Sequence, residues 1–114
     1  MTAPSNLRAF NGSYNDLEQA VKGEGHLVVV DFFASYCPPC KRLMEVLPNI
    51  ATQHSDVTFL KVDITTNEDL AERMNVSSIP SIQFMKFDGS QLNVVDRVTG
   101  FDPDGIQTKI QKNK

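Results

Sequence analysis

Two cysteines stand three residues apart in the run Cys37-Pro38-Pro39-Cys40, and the chain has no others. A thiol pair at that spacing can close into a disulfide and reopen, so the chemistry it offers is two-electron exchange with other disulfides. Cys37 would attack, and Cys40, one helical turn later and facing inward, would resolve the mixed disulfide. Each proline lacks an N–H where a helix start leaves the donor orphaned, and each fixes φ near the helical value, holding the sulfurs at a set separation. Pro38 at the same time removes a backbone donor that could have supported the Cys37 thiolate. Two other readings use the same pair. A tetrahedral zinc site needs four ligands, and His26 and His54 are neither in a His-x3-5-His arrangement nor joined by a second cysteine pair. An inert crosslink has no use for the intervening prolines. The dithiol reading is the one that uses both spacing and placement, and it needs neither metal nor bound cofactor.

Three further positions invite chemistry. Asp31 interrupts the apolar run Val28-Val29-Val30-Asp31-Phe32-Phe33. Burying it ionised and unpaired costs several kcal/mol, so its pKa is expected to rise. Either it accepts the proton of Cys40, directly or through a water, or it hydrogen-bonds locally and does nothing more. Lys61, in a neighbouring apolar run, either pairs with Asp31 or faces solvent. Pro80, in Ser77-Ser78-Ile79-Pro80-Ser81, either breaks structure or supplies a cis peptide that turns the chain sharply. Tyr36, ahead of the first cysteine, is either a contact surface for substrate or a packed aromatic.

The elements that must position these residues are legible from periodicity. Leu27 to Phe33, β-branched and aromatic without strict alternation, predicts a strand buried on both faces. Before it, a short strand near Leu7 to Phe10 leads to a turn at Asn11-Gly12-Ser13 and a helix carrying Leu17, Ala20 and Val21, stopped by Gly23 and Gly25. After the cysteines, Leu43, Val46, Leu47 and Ile50 mark one face of a helix of about four turns. Val57 to Ile64 predicts a third strand, and Asn67-Glu68-Asp69 opens a short helix through Met74. Ser81 to Phe87 and Gln91 to Val98 form a hairpin about Asp88-Gly89. Gly100 breaks the strand, Asp102 caps a last helix, Pro103 starts it, and Ile106 and Ile110 give it an apolar edge.

Alternating β and α units predict an α/β fold whose first strands run parallel, with helices on both faces. Cys37 then falls between the most buried strand and a helix. Helix amino termini at the carboxyl ends of such strands present unpaired N–H groups and partial positive charge, which stabilise a thiolate. The Cys37 pKa is therefore expected below that of a free thiol.

Composition narrows the alternatives. The 114 residues are 40% hydrophobic and 22% charged with a net charge of -3, which excludes disorder and offers no basic stripe for nucleic acid. No apolar run reaches membrane-spanning length, and Met1 to Phe10 lacks a signal pattern, so the expected setting is the cytoplasm.

The buried-strand Asp31, the aromatic-Cys-x-Pro-Cys-Lys run from Tyr36 to Lys41, and Ile79-Pro80 ahead of a hairpin ending at Gly100 together resemble the thioredoxin family over nearly the whole chain. That resemblance implies a thioredoxin fold in one domain, residues 1–114, with a central mixed five-stranded sheet flanked by four helices. It also implies Cys37 as nucleophile, Cys40 as resolving thiol, Asp31 as proton acceptor, and a cis Pro80 beside the dithiol. Substrate contacts would come from Tyr36, Pro38, Pro39, Ile79, Pro80 and Gly100, with Phe101 nearby and Lys41 and Lys61 in secondary roles. The implied function is protein-disulfide reduction by a monomeric electron carrier, re-reduced by a flavoprotein of the thioredoxin reductase type drawing on NADPH. Implied substrates include peroxiredoxins, ribonucleotide reductase and methionine sulfoxide reductase. Departures from the family pattern are Tyr36 for Trp, Pro38-Pro39 for Gly-Pro, and Glu45 where the helix usually carries a kinking proline, here displaced to Pro48. The Cys-Pro-Pro-Cys form is also similar to tryparedoxins and nucleoredoxin-like proteins. A redox-inactive binding module on the same fold, and a secretory oxidase or isomerase, are the alternatives in other classes.

Overall fold

A computed structural model describes residues 3–114. In chain order the elements are β1 (Leu7–Ala9), α1 (Tyr14–Glu24), β2 (Val28–Phe33), α2 (Pro38–Gln53), β3 (Thr58–Asp63), α3 (Glu68–Arg73), β4 (Ser81–Phe87), β5 (Leu92–Thr99) and α4 (Pro103–Asn113). The five strands form one sheet in the order β1-β3-β2-β4-β5. β1, β3 and β2 are parallel, β4 is antiparallel to β2, and β5 is antiparallel to β4. This is the mixed five-stranded sheet with four helices that the family resemblance implies, with the first strands parallel as the alternation predicts.

Apart from Asp31 the central strand is apolar, because both its faces are covered. Val29, with Phe59, Ile82 and Phe84, packs under Leu43, Leu47 and Ile50 of α2 and Ile106 and Ile110 of α4. Val28, Val30 and Phe32 pack under Leu17 and Val21 of α1 and Leu70 of α3. Each of these large side chains contributes roughly 1.5–3 kcal/mol by leaving water. Period-two alternation puts Asp31 on the Val29 face, with Lys61 and Ile82 opposite it in register.

Local signals set the element ends. Ser13 and Asp16 form a reciprocal capping box on α1, which ends at Gly25 with φ +72°. The β4–β5 turn closes with Asp88 N–H donating to Gln91 O at 3.0 Å, Gly89 supplying the positive φ of +97°. Between Phe84 and Met85 the β4–β5 register shifts. The partners pass from Asp96 to Val94, so Val95 is the extra residue of a bulge and stands 42% exposed. That irregularity left no mark in the alternation of the hairpin. α2 runs through Pro48, although the proline gives the Met44 carbonyl no amide partner. The far end of α2 is held by Asn6, whose side-chain amide donates to Ala51 O, His54 O and Val57 O at 2.9, 3.0 and 2.9 Å.

Among the described residues no helix is long and apolar enough to cross a membrane.

Candidate active site

Cys37 is the N-cap of α2, in an extended conformation with φ -96°. Pro38 and Pro39 occupy the first two helical positions and carry no N–H, so the first amide donor of this helix belongs to Cys40. That N–H points at Cys37 Sγ at 3.3 Å, and the Lys41 N–H closes the first helical turn on Cys37 O at 3.0 Å. The proline pair thus concentrates the donor end of α2 on one sulfur. The two cysteines are joined as a disulfide with Cα atoms 5.2 Å apart. Cys37 is 7% exposed and Cys40 1%, so the second sulfur faces inward as the helical spacing requires.

Around the sulfurs pack Ala34, Phe33, Ile64 and Ile79. Of these, the sequence singles out Ile79 alone. Ala34 is the neighbour whose carbonyl accepts from Cys37 N–H at 3.3 Å, and Ile64 arrives because its own N–H donates to Phe33 O at 2.9 Å across the ends of two parallel strands. Strand ends adjacent in space carry no local sequence signal for that adjacency.

The Ile79-Pro80 peptide is cis, and Ile79 O lies 3.9 Å from Cys37 Sγ. Gly100, with φ +84°, donates its N–H to Pro80 O at 2.9 Å. A residue with a Cβ would be strained at that φ. Tyr36 is 68% exposed beside the dithiol, Pro38 and Lys41 are exposed, and Pro39 is half-buried. Tyr36, Pro38, Pro39, Ile79, Pro80 and Gly100 are therefore gathered about Cys37 by three connections: β2 to α2, α3 to β4, and β5 to α4.

Asp31 is 1% exposed, and neither of its carboxylate oxygens has a hydrogen-bond partner. Burial pushes its pKa from 3.8 up to about 7, against the opposing field of Lys61. The local hydrogen bond that the sequence allows is absent. Lys61 is half-buried, so neither alternative drawn for it holds in full: it acts on Asp31 through its field, without a hydrogen bond. His26 Nε2 lies 2.8 Å from Thr58 Oγ1 and His54 Nε2 lies 2.6 Å from Gln107 Oε1, so the two histidines serve different elements. Among the described residues no three His, Cys, Asp or Glu side chains are grouped to hold a metal ion. A cleft of about 700 Å³ opens between Val21, Leu27, Val57 and Phe87, at the end of β2 remote from the cysteines, and carries no redox group.

A disulfide capping a helix, set at the carboxyl end of a central strand beside a cis-proline, defines a thiol-disulfide oxidoreductase. The thioredoxin family model matches residues 10–112. Thioredoxin of Geodia cydonium is 40% identical over 100 residues, covering 87% of this chain and 92% of that one. Thioredoxin-2 of Saccharomyces cerevisiae is 38% identical over 101 residues, covering 89% and 93%. The solved thioredoxin of Trichomonas vaginalis superposes with a TM-score of 0.90 at 40% identity, covering 96% of this chain and 98% of that one. The chain belongs to the thioredoxin family, dithiol-disulfide oxidoreductases whose redox group is the cysteine pair itself, here Cys37 and Cys40.

Proposed function

We propose that the protein reduces disulfides in other proteins with Cys37 as nucleophile, Cys40 as resolving thiol and Asp31 as the base that frees Cys40. The observation that carries this is the conjunction of the Cys40 N–H on Cys37 Sγ at 3.3 Å with an unpartnered buried carboxylate on the strand leading to that helix. In the reduced protein the helix terminus favours a Cys37 thiolate. The thiolate attacks one sulfur of a substrate disulfide, that S–S bond breaks, and the first substrate sulfur leaves as a thiolate and takes a proton. Asp31 accepts the Cys40 proton. The Cys40 thiolate then attacks Cys37 Sγ, the mixed disulfide breaks, and the second substrate sulfur leaves and is protonated. Two electrons have passed to the substrate, and the protein is left as the Cys37–Cys40 disulfide.

In this reading Ile79, Pro80 and Gly100 present backbone to an extended substrate segment, while Tyr36, Pro38 and Pro39 supply apolar contact. Lys41 adds positive charge at the rim, and Lys61 tunes Asp31. Pro38-Pro39 and Tyr36 make the motif a variant of the family pattern, with its own potential and partner choice. The carrier is a monomer of one domain, residues 1–114, re-reduced by an NADPH-dependent flavoprotein, and its substrates are protein disulfides such as that of a peroxiredoxin. A reducing compartment, the cytosol, fits a chain with no cysteine left for a permanent crosslink.

Insulin disulfide reduction with dithiothreitol as electron source tests it, comparing wild type with Cys37→Ser and Cys40→Ser. Activity above the dithiothreitol background, lost in both variants, is expected. A wild type no faster than dithiothreitol alone would instead favour a binding module built on the Pro80 groove.

A further inference from the structure

The guanidinium of Arg42 stacks on the ring of Phe101, 4.1 Å from its centroid. Each residue is tied through its own segment to the residues about Cys37 and Pro80. Arg42 lies in the second turn of α2, five residues after Cys37 and so about 7.5 Å further along the helix axis. Phe101 follows Gly100, whose N–H holds the Pro80 carbonyl, and its ring is partly buried against the α2 and α4 core. A ring anchored in that way is a fixed platform, and a guanidinium lying on it has surrendered its rotamer freedom without using its donors.

Among the described residues those donors are free: Arg42 takes part in none of the ion pairs, which engage Arg8, His26, Lys109, Lys112 and Lys114. The acids nearest in sequence to Arg42 and to Phe101 are not paired with the guanidinium: Glu45 is exposed on α2, and the Asp102 carboxylate accepts from Gly105 N–H at 2.9 Å. An arginine oriented by stacking, with its planar fork of N–H groups open to solvent, is the arrangement that receives a carboxylate in two parallel hydrogen bonds.

We propose that Arg42, positioned by Phe101, is a specificity determinant of the dithiol groove that selects disulfide substrates carrying an Asp or Glu side chain close to the attacked cysteine. This rests on the disulfide-reductase reading and narrows its substrate class. The exposed Lys41 beside it adds a less directional attraction of the same sign.

Three peptides, each with one internal disulfide and differing only in a Glu, Gln or Lys two residues from one cysteine, serve as probes. The pre-reduced protein is mixed with each in a stopped-flow instrument, and the second-order rate constants are compared at low and high salt. Wild type is expected to favour the Glu peptide over the Gln peptide about fivefold at low salt, the scale of one exposed charged contact, with the ratio shrinking as salt rises. Arg42→Gln is expected to bring that ratio close to one. Phe101→Ala, which keeps the charge but loses the platform, is expected to lower it part of the way. Equal reduction of all three peptides by wild type, or an unchanged ratio in Arg42→Gln, overturns the carboxylate site and leaves the reductase standing. Reduction of none of them overturns both.

Discussion

Asp31 and Lys61 face each other in register on neighbouring parallel strands, yet the carboxylate makes no hydrogen bond. The lysine eases the burial of the acid through its field without neutralising it, and the acid keeps a proton affinity near neutral pH. A fully paired Asp31 would stay ionised throughout and could not take a proton from Cys40.

That arrangement has a stability signature. Folded, Asp31 holds its proton up to about pH 7; unfolded, it releases it near 3.8. Between those values the folded state binds more protons, so stability falls as pH rises through the window and levels off above it. Below both values the contribution is fully favourable. Relative to Asp31→Asn, which carries no such proton, wild type is expected to lose roughly 2.5 kcal/mol between pH 5 and pH 8 in urea unfolding. Parallel pH profiles for the two proteins would show that Asp31 is ionised in the fold at no cost.

The same substitution separates stability from chemistry. Asp31→Asn is expected to be the more stable protein at pH 8 and the slower reductase, losing on the order of tenfold in the step that resolves the mixed disulfide. Single-turnover kinetics with a disulfide substrate read that step. A resolving rate equal to wild type removes Asp31 from the proton transfer.

Lys61→Met takes away the field opposing the rise in the Asp31 pKa. The Asp31 midpoint is expected to move above its wild-type value, followed by the carbon-13 shift of its carboxyl group. A midpoint that stays in place would mean that burial alone sets it.

The helix cap predicts unequal cysteines. Alkylation of the reduced protein is expected to modify Cys37 first, with an apparent pKa below the free-thiol value of about 8.5. Cys40→Ser is expected to accumulate a mixed disulfide with substrate, visible by mass spectrometry, which Cys37→Ser does not form. An apparent pKa at or above the free-thiol value would mean that the two prolines cost the helix terminus its effect.

Asn6 offers a test of how the site is supported from its far end. Asn6→Ala leaves the carbonyls of Ala51, His54 and Val57 without their side-chain donor. It is expected to cost about 2 kcal/mol in denaturant unfolding by the loss of three hydrogen bonds, although Ala51 O and His54 O keep the backbone N–H groups of His54 and Val57. A loss of a few tenths would show that water replaces the amide.

Residues that act through neighbours in sequence are legible from the sequence alone. Cys37 and Cys40 declare a turn of helix between them, Pro38 and Pro39 declare its start, and Asp31 declares a buried acid because nothing else in its run is polar. These are local facts, fixed by spacing and by the cost of burying charge. The β-bulge at Val95 is not legible there, since a residue extruded from a hairpin has the same alternation on either side. Nor is the stacking of Arg42, which depends on a ring nearly sixty positions away and on the turn at Gly100 that delivers it.

The sequence by itself determined the kind of chemistry: two thiols at helical spacing after a buried strand, with one acid in that strand. Tertiary structure decided what surrounds that chemistry. It brought the cis Ile79-Pro80 peptide to within 3.9 Å of Cys37, closed Gly100 onto Pro80, left Asp31 without a partner beside Lys61, and laid Arg42 across Phe101. The physical reason is that covalent spacing sets only which groups share a turn or a strand face. Register between strands and the packing of helices over them, set by the whole apolar core at once, choose which distant groups meet.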